Sequence, residues 1–86
     1  MAGPGWTQAR IVEALEARGV RRDRAVQYAE AYLEYQAAAA NLAEHGVMVL
    51  HPRTQNPIEN PYLAIRDRAW GRLTRMLRRV DVGFLW

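Results

Sequence analysis

The stretch that most constrains the fold is residues 60–80, which read NPYLAIRDRAWGRLTRMLRRV. Asn60 is a favourable helix N-cap, and Pro61 suits the first helical position, where its missing N–H costs nothing. On a helical wheel the apolar and small side chains share one arc of about 160°. The arc contains Tyr62, Leu63, Ile65, Ala69, Trp70, Leu73, Met76, Leu77 and Val80, and the opposite side carries Arg68, Arg72, Arg75, Arg78 and Arg79. The sequence therefore predicts a helix with one side to bury and one basic side.

Two further helices are predicted upstream of this stretch. Residues 1–6 form a Gly/Pro-rich lead that we expect to be flexible. Thr7 can cap a short first helix that ends before Gly19, and Asp23 can cap a long second helix that runs to about His45 and stops at Gly46. The following VMVL and proline-rich HPRTQNPIENP segments predict a strand or extended connector, with a small hairpin as one possibility.

The second helix is apolar over more than half of its circumference. Its predicted outward strip contains only Gln27, Glu30, Glu34, Ala38 and Asn41. A helix with so much apolar surface needs two neighbours. A chain of 86 residues without cysteine is one small domain that cannot use disulfides, and such chains often complete their core by oligomerising. We predict an all-α fold at residues 7–80: an antiparallel hairpin of two long helices, a short N-terminal helix, and oligomeric assembly.

The charge is concentrated in the second half of the chain, and every basic residue is arginine. Residues 1–46 carry five Arg and six acids, a net charge of −1, whereas residues 47–86 carry seven Arg and three acids, a net charge of +4. Arginine is well suited to phosphate contact, although GC-rich coding also enriches it. The asymmetry indicates an anionic partner.

Two arginine clusters are candidate DNA contacts. The basic side of the third helix would contact phosphates, with a solvated face or ion pairing with the second helix as the alternatives. The second cluster surrounds the turn between the first two helices, where the order helix–turn–helix also resembles a DNA-binding corner. It contains Arg18, Arg21, Arg22 and Arg24.

The predicted subunit interface lies on the Ala/Tyr face of the second helix and the apolar side of the third. It comprises Tyr28, Tyr32, Tyr35, Ala39, Leu42, Trp70 and Leu77. Residues 81–86 form a tail in which Phe84, Leu85 and Trp86 either fold back onto the domain or dock into a neighbour or partner protein.

Other classes of function find little support. His45 and His51 lie in different elements without an acidic ligand pattern, so no metal site or other cofactor is predicted. No nucleophile has a plausible base, and we expect no enzymatic activity. No apolar run approaches the roughly 18–20 residues of a membrane span, and no signal peptide is visible. Residues 61–86 as a membrane-surface helix remain an alternative.

The order of four segments resembles the order found in the phage terminase small-subunit family. These segments are LEARGV, RDRAVQYAEAYLEYQAAAANLAEHG, VMVLHPRTQNPIENPY and LAIRDRAWGRL. The Tyr-rich helix ending at Gly46, the Asn-Pro pair before the last helix, and Ala69 carry the resemblance over roughly residues 10–80. Family members commonly continue into a "GLTP"-type segment, so this chain resembles a shortened member.

The resemblance implies a homo-oligomeric ring in the host bacterial cytoplasm. Such a ring would bind viral double-stranded DNA and recruit it to the large terminase, which carries the ATPase and nuclease, without being an enzyme itself. A dimeric helix-turn-helix regulator and a helical protein-interaction module are the alternatives.

Overall fold

A computed structural model of the chain describes residues 5–76 and 80–86. In chain order the elements are α1 (Gln8–Ala17), α2 (Arg22–His45), β1 (Met48–Leu50), β2 (Pro57–Glu59), α3 (Tyr62–Met76) and a 3-10 turn (Gly83–Leu85). The fold is mostly helical, as expected, but it is not purely α because β1 and β2 form a small antiparallel sheet.

The first helix begins and ends where its capping residues predict. Thr7 adopts an extended backbone and its Oγ1 accepts a hydrogen bond from the N–H of Arg10 at 3.2 Å. Gly19 has a φ of 89°, which glycine adopts without steric penalty, and the N–H of Val20 donates to the carbonyl of Leu15 at 3.0 Å. These contacts confine α1 to about three turns.

The second helix starts earlier than its sequence predicts. Its first residue is Arg22, and the N-cap residue Arg21 makes no side-chain capping hydrogen bond. Asp23 lies inside the first turn instead of capping it, where its charge still favours the positive end of the helix dipole. The C-terminal end is as predicted, because Gly46 follows His45 with a φ of 82°.

Both α1 and α3 pack against α2 and bury it from two sides. Ala38 is completely buried although the sequence placed it on the outward strip. Because α1 and α3 belong to the same chain, the two neighbours that α2 needs are supplied within one subunit. Burial of α2 therefore does not by itself require oligomerisation.

The connector between α2 and α3 is a hairpin whose two faces differ. Met48 pairs with Glu59 and Leu50 pairs with Pro57, so these four side chains share one face, and all four are exposed. The opposite face is half-buried. The hairpin thus presents to solvent a face that is apolar except for Glu59, a feature that the sequence pattern did not single out.

Asn60 joins the end of α2 to the start of α3 and is only 2% exposed. Its Oδ1 accepts the N–H of Tyr62 at 3.0 Å, which confirms the predicted cap. Its Nδ2 donates to the Oδ1 of Asn41 and to the carbonyl of Gly46, both at 2.9 Å. One side chain therefore fixes three segments relative to each other.

The third helix buries Ala69 and Leu73 against α2. Its described part ends at Met76, and Val80, which we expected to be the last helical residue, is not helical. Leu77, Arg78 and Arg79 lie outside the described residues, so their predicted roles are not addressed by the structure.

Candidate nucleic-acid interface

Three arginines line one side of α3 and form a surface that we call the α3 arginine surface (Arg68, Arg72 and Arg75). The spacing i, i+4, i+7 places them within about 60° of the helix circumference. Arg68 and Arg75 are exposed and Arg72 is half-buried. Within residues 5–76 and 80–86, no carboxylate or hydrogen-bond acceptor engages any of the three guanidinium groups. Ion pairing with α2, one of the two alternatives to phosphate contact, is therefore absent from the described contacts.

The second predicted cluster is divided between different tasks. Arg21 pairs with Asp23 at 3.6 Å and Arg22 pairs with Glu16 at 3.1 Å. Both arginine side chains are at least three-quarters exposed, so these ion pairs are weak and leave the arginines accessible to phosphate.

Arg24 and Arg18 of the same cluster contact residues near the C-terminus of the chain. The Nη2 of Arg24 donates to the carbonyl of Met76, the last described residue of α3, at 2.6 Å. The guanidinium carbon of Arg18 lies 3.8 Å from the ring centroid of Phe84, and its Nη1 donates to the carbonyl of Ala14. The sequence predicted phosphate contact for both but gave no sign of these distant partners.

The solvent-facing strip of α2 is acidic. Gln27, Glu30 and Glu34 are exposed along it, and the opposite sides of the helix are covered by α1 and α3. A recognition helix must present donors or cations to the negatively charged groove of DNA. The exposed side of α2 does not have this character.

The residues predicted for the subunit interface fall into two groups. Tyr28, Tyr32 and Leu42 lie inside the subunit, where they leave little surface for a neighbouring copy, and Tyr32 is 0% exposed. They are therefore removed from the candidate interface. Burial raises the pKa of both tyrosines, and hydrogen bonds of Tyr28 with Trp86 and of Tyr32 with Gln36 partly oppose these pKa shifts.

The other predicted interface residues remain at the surface, half-buried for Tyr35 and Ala39 and 49% exposed for Trp70. Trp70 and Trp86 meet at 5.9 Å between ring centroids, and Tyr35 contacts both, at 5.5 and 5.4 Å. We call Tyr35, Trp70 and Trp86 the aromatic patch.

The C-terminal segment folds back onto its own subunit. Leu85 is 1% exposed, and its carbonyl accepts a hydrogen bond from the Oη of Tyr32 at 2.6 Å. Phe84 packs edge-to-face on Trp6 with ring centroids 5.7 Å apart. Of the three residues predicted to dock a partner, Leu85 is not accessible in this arrangement, whereas Phe84 is half-buried and Trp86 contributes to the aromatic patch. Trp6 belongs to the lead that we expected to be flexible, but its side chain packs on Phe84.

The sequence matches the family described as "Phage terminase, small subunit" over residues 7–81. This chain belongs to the phage terminase small-subunit family. The match includes α1, α2, the hairpin and α3, and thus nearly the whole chain. Searches of curated proteins and of solved structures returned no match. Membership indicates a role in phage DNA packaging, in a family whose small subunits are generally non-catalytic DNA-binding or regulatory components.

The small subunit shows no metal-binding cluster among the residues that the structure describes. His45 lies 3.8 Å from Glu44, and the Nδ1 of His51 accepts backbone N–H groups of Arg53 and Thr54 in the hairpin turn. Neither histidine approaches the other side chains that a metal site would need.

No helix in the described part of the small subunit is long and apolar enough to cross a membrane. The apolar side of α3, which the membrane-surface alternative would insert into lipid, is already engaged with α2 through Ala69 and Leu73. Trp70 and Tyr62 of the same helix remain exposed.

Proposed function

We propose that this small subunit binds viral double-stranded DNA as a homo-oligomeric ring and recruits it to the large terminase subunit for genome packaging in the host bacterial cytoplasm. The observation that carries the proposal is the α3 arginine surface. Three cations on one helix side that have no described acid partner favour a phosphate ligand. The acidic outward strip of α2 disfavours the alternative of a helix-turn-helix regulator that reads DNA with α2.

Repetition would amplify a modest charge. One chain has a formal net charge of +3, which alone attracts DNA weakly. A ring places one α3 arginine surface per subunit around a common axis, and affinity for DNA grows with the number of phosphates that are neutralised. We include Arg21 and Arg22 among the proposed phosphate contacts, because their ion pairs are exposed and weak.

Replacing Arg68, Arg72 and Arg75 together by glutamine is expected to weaken duplex DNA binding at least about tenfold at moderate salt. The slope of log affinity against log salt concentration should fall by about 0.9 for each phosphate that the variant no longer neutralises. Fluorescence anisotropy with a labelled duplex at several salt concentrations measures both quantities.

Arg66→Gln is the matched control. It removes a guanidinium group from the same helix, but one that already pairs with Asp67 at 3.0 Å. This variant should bind nearly as the wild type. A triple variant with unchanged affinity and unchanged salt slope would contradict the proposed phosphate surface.

We further propose that neighbouring subunits associate through the aromatic patch and the adjacent Ala39. Exposed Trp and Tyr side chains are enriched in protein interfaces and contribute much of their binding energy. The sheet face formed by Met48, Leu50 and Pro57 is a second exposed apolar surface on the same chain. Two different apolar surfaces on one molecule suit head-to-tail contacts, which can close into a ring.

Trp70→Glu is expected to convert the ring to monomers in native mass spectrometry at micromolar protein concentration, because a carboxylate would be buried without a partner. Tyr62→Glu introduces the same carboxylate on α3 two turns earlier, outside the aromatic patch, and should leave the ring intact. A wild-type protein that is only monomeric would exclude the ring, and a Trp70→Glu variant that keeps its subunit number would exclude the patch.

A further inference from the structure

Two arginines, one within α1 and one at its C-terminal end, lie against aromatic rings and not against carboxylates. The guanidinium carbon of Arg18 is 3.8 Å from the centroid of Phe84, and that of Arg10 is 5.4 Å from the ring of Trp6. Trp6 and Phe84 contact each other edge-to-face at 5.7 Å. These four side chains form a continuous row, Arg10–Trp6–Phe84–Arg18, that joins the start of the described chain to its C-terminal segment. We call it the arginine–aromatic row.

Stacking leaves a guanidinium group able to bind an anion. The contact with a ring uses the flat face of the group, whereas its five N–H donors point outward in the plane. In Arg18 one of these donors bonds to the carbonyl of Ala14 at 3.1 Å. The remaining donors have no partner among the described residues, and the side chain is exposed.

Stacking also restricts the side chain before any ligand arrives. A free arginine loses rotamer freedom when it binds a phosphate, and part of that loss is already incurred in Arg18 because Phe84 and Ala14 hold its guanidinium. Arg10 is held similarly, by Trp6 and by the carbonyl of Gly5 at 2.8 Å. Glu13, however, lines the same small cleft as Arg10. Arg18 is therefore the stronger anion-binding candidate of the two.

We infer that Phe84 is a positioning residue for Arg18, so that docking of the C-terminal segment onto α1 prepares a phosphate contact for duplex DNA. The inference rests on the proposed DNA-binding function. Because coupling between two binding events is reciprocal, DNA then stabilises the docked segment, and a partner protein that captures the segment weakens DNA binding. The last residues of the chain and its DNA surface act as one unit in this arrangement.

A double-mutant cycle tests the coupling in the full-length protein. Duplex affinity and its salt dependence are measured for Arg18→Ala, Phe84→Leu and the combined variant. Arg18→Ala should lower the salt slope by about 0.9, because one phosphate fewer is neutralised. Phe84→Leu, which keeps an apolar side chain but loses the ring, should weaken binding about threefold. The combined variant should bind no more weakly than Arg18→Ala alone, because Phe84 acts through Arg18.

Two further variants separate positioning from packing. Phe84→Tyr keeps an aromatic ring and, unlike Phe84→Leu, should bind duplex DNA with wild-type affinity. Val82→Ala removes packing atoms from the same segment without removing a ring. It should lower the melting temperature but leave affinity unchanged when affinity is measured well below that temperature, where the segment stays docked. Additive effects of Arg18→Ala and Phe84→Leu, or wild-type affinity in Phe84→Leu, would overturn the inference alone. A wild-type protein that binds no duplex even at low salt would instead overturn the proposed function on which it rests.

Discussion

Leu85→Ala is expected to lower the free energy of unfolding by about 3 kcal/mol, within the usual range for a buried leucine. Leu85 is 1% exposed and belongs to the main core cluster together with residues of α1, α2 and α3. Its removal leaves a cavity and also loosens the carbonyl that accepts from Tyr32. For a chain of this length the melting temperature should fall by roughly 12–24 °C, measured by circular dichroism.

Val47→Ala is the control, because it truncates an apolar side chain that is 53% exposed and lies outside the proposed subunit contacts. It should alter stability by no more than about 0.5 kcal/mol. If Leu85→Ala were as mild as Val47→Ala, the C-terminal segment would not be docked on its own subunit in solution, and Phe84, Leu85 and Trp86 would again be available to a partner.

Asn60→Ala is expected to lower the free energy of unfolding by at least about 3 kcal/mol, measured by urea denaturation. The change removes the cap of α3, usually worth about 1 kcal/mol. It also leaves the Oδ1 of Asn41 and the carbonyl of Gly46 without their donor in a part-buried site, and each such change costs about 1–3 kcal/mol when no water replaces the donor. The junction of α2 and α3 depends on this one side chain.

Asn60→Ser divides these contributions, because serine keeps a capping oxygen but lacks the amide donor. We expect it to recover about 1 kcal/mol relative to Asn60→Ala. Asn56→Ala in the exposed hairpin turn is the control and should be nearly neutral. Equal stabilities for the alanine variants at positions 56 and 60 would show that the junction is held by other contacts.

The ends of most helices could be predicted because they depend on neighbouring residues. In setting helix ends, Thr7, Gly19, Gly46 and Asn60 each act through a hydrogen bond or a backbone angle within a few residues of their own position. Asp23 was predicted incorrectly as a cap. Burial of Val20 and its bond to Leu15 fix the chain leaving α1, and α2 then begins at Arg22.

The candidate interfaces could be predicted only in part. Helical periodicity correctly separates the apolar and basic sides of α3, but it does not say whether an apolar side chain meets its own subunit or another. Tyr32 and Tyr35 have similar sequence surroundings, yet Tyr32 is buried beneath Leu85 and Tyr35 lies beside Trp70 at the surface. The difference arises because the buried Leu85 contacts Tyr32, whereas Tyr35 meets the partly exposed rings of Trp70 and Trp86.

The sequence by itself determined the helices, most of their ends, the connector and the concentration of arginine in the second half of the chain, because these follow from local backbone preferences and composition. Tertiary structure alone decided what each arginine contacts. Arg24 reaches a carbonyl 52 residues away and Arg18 stacks on a ring of the C-terminal segment, whereas Arg68 and Arg75 meet no described partner. The reason is physical: the partners of a guanidinium group are whatever the folded chain brings within a few ångströms, and periodicity along one helix carries no information about distant segments.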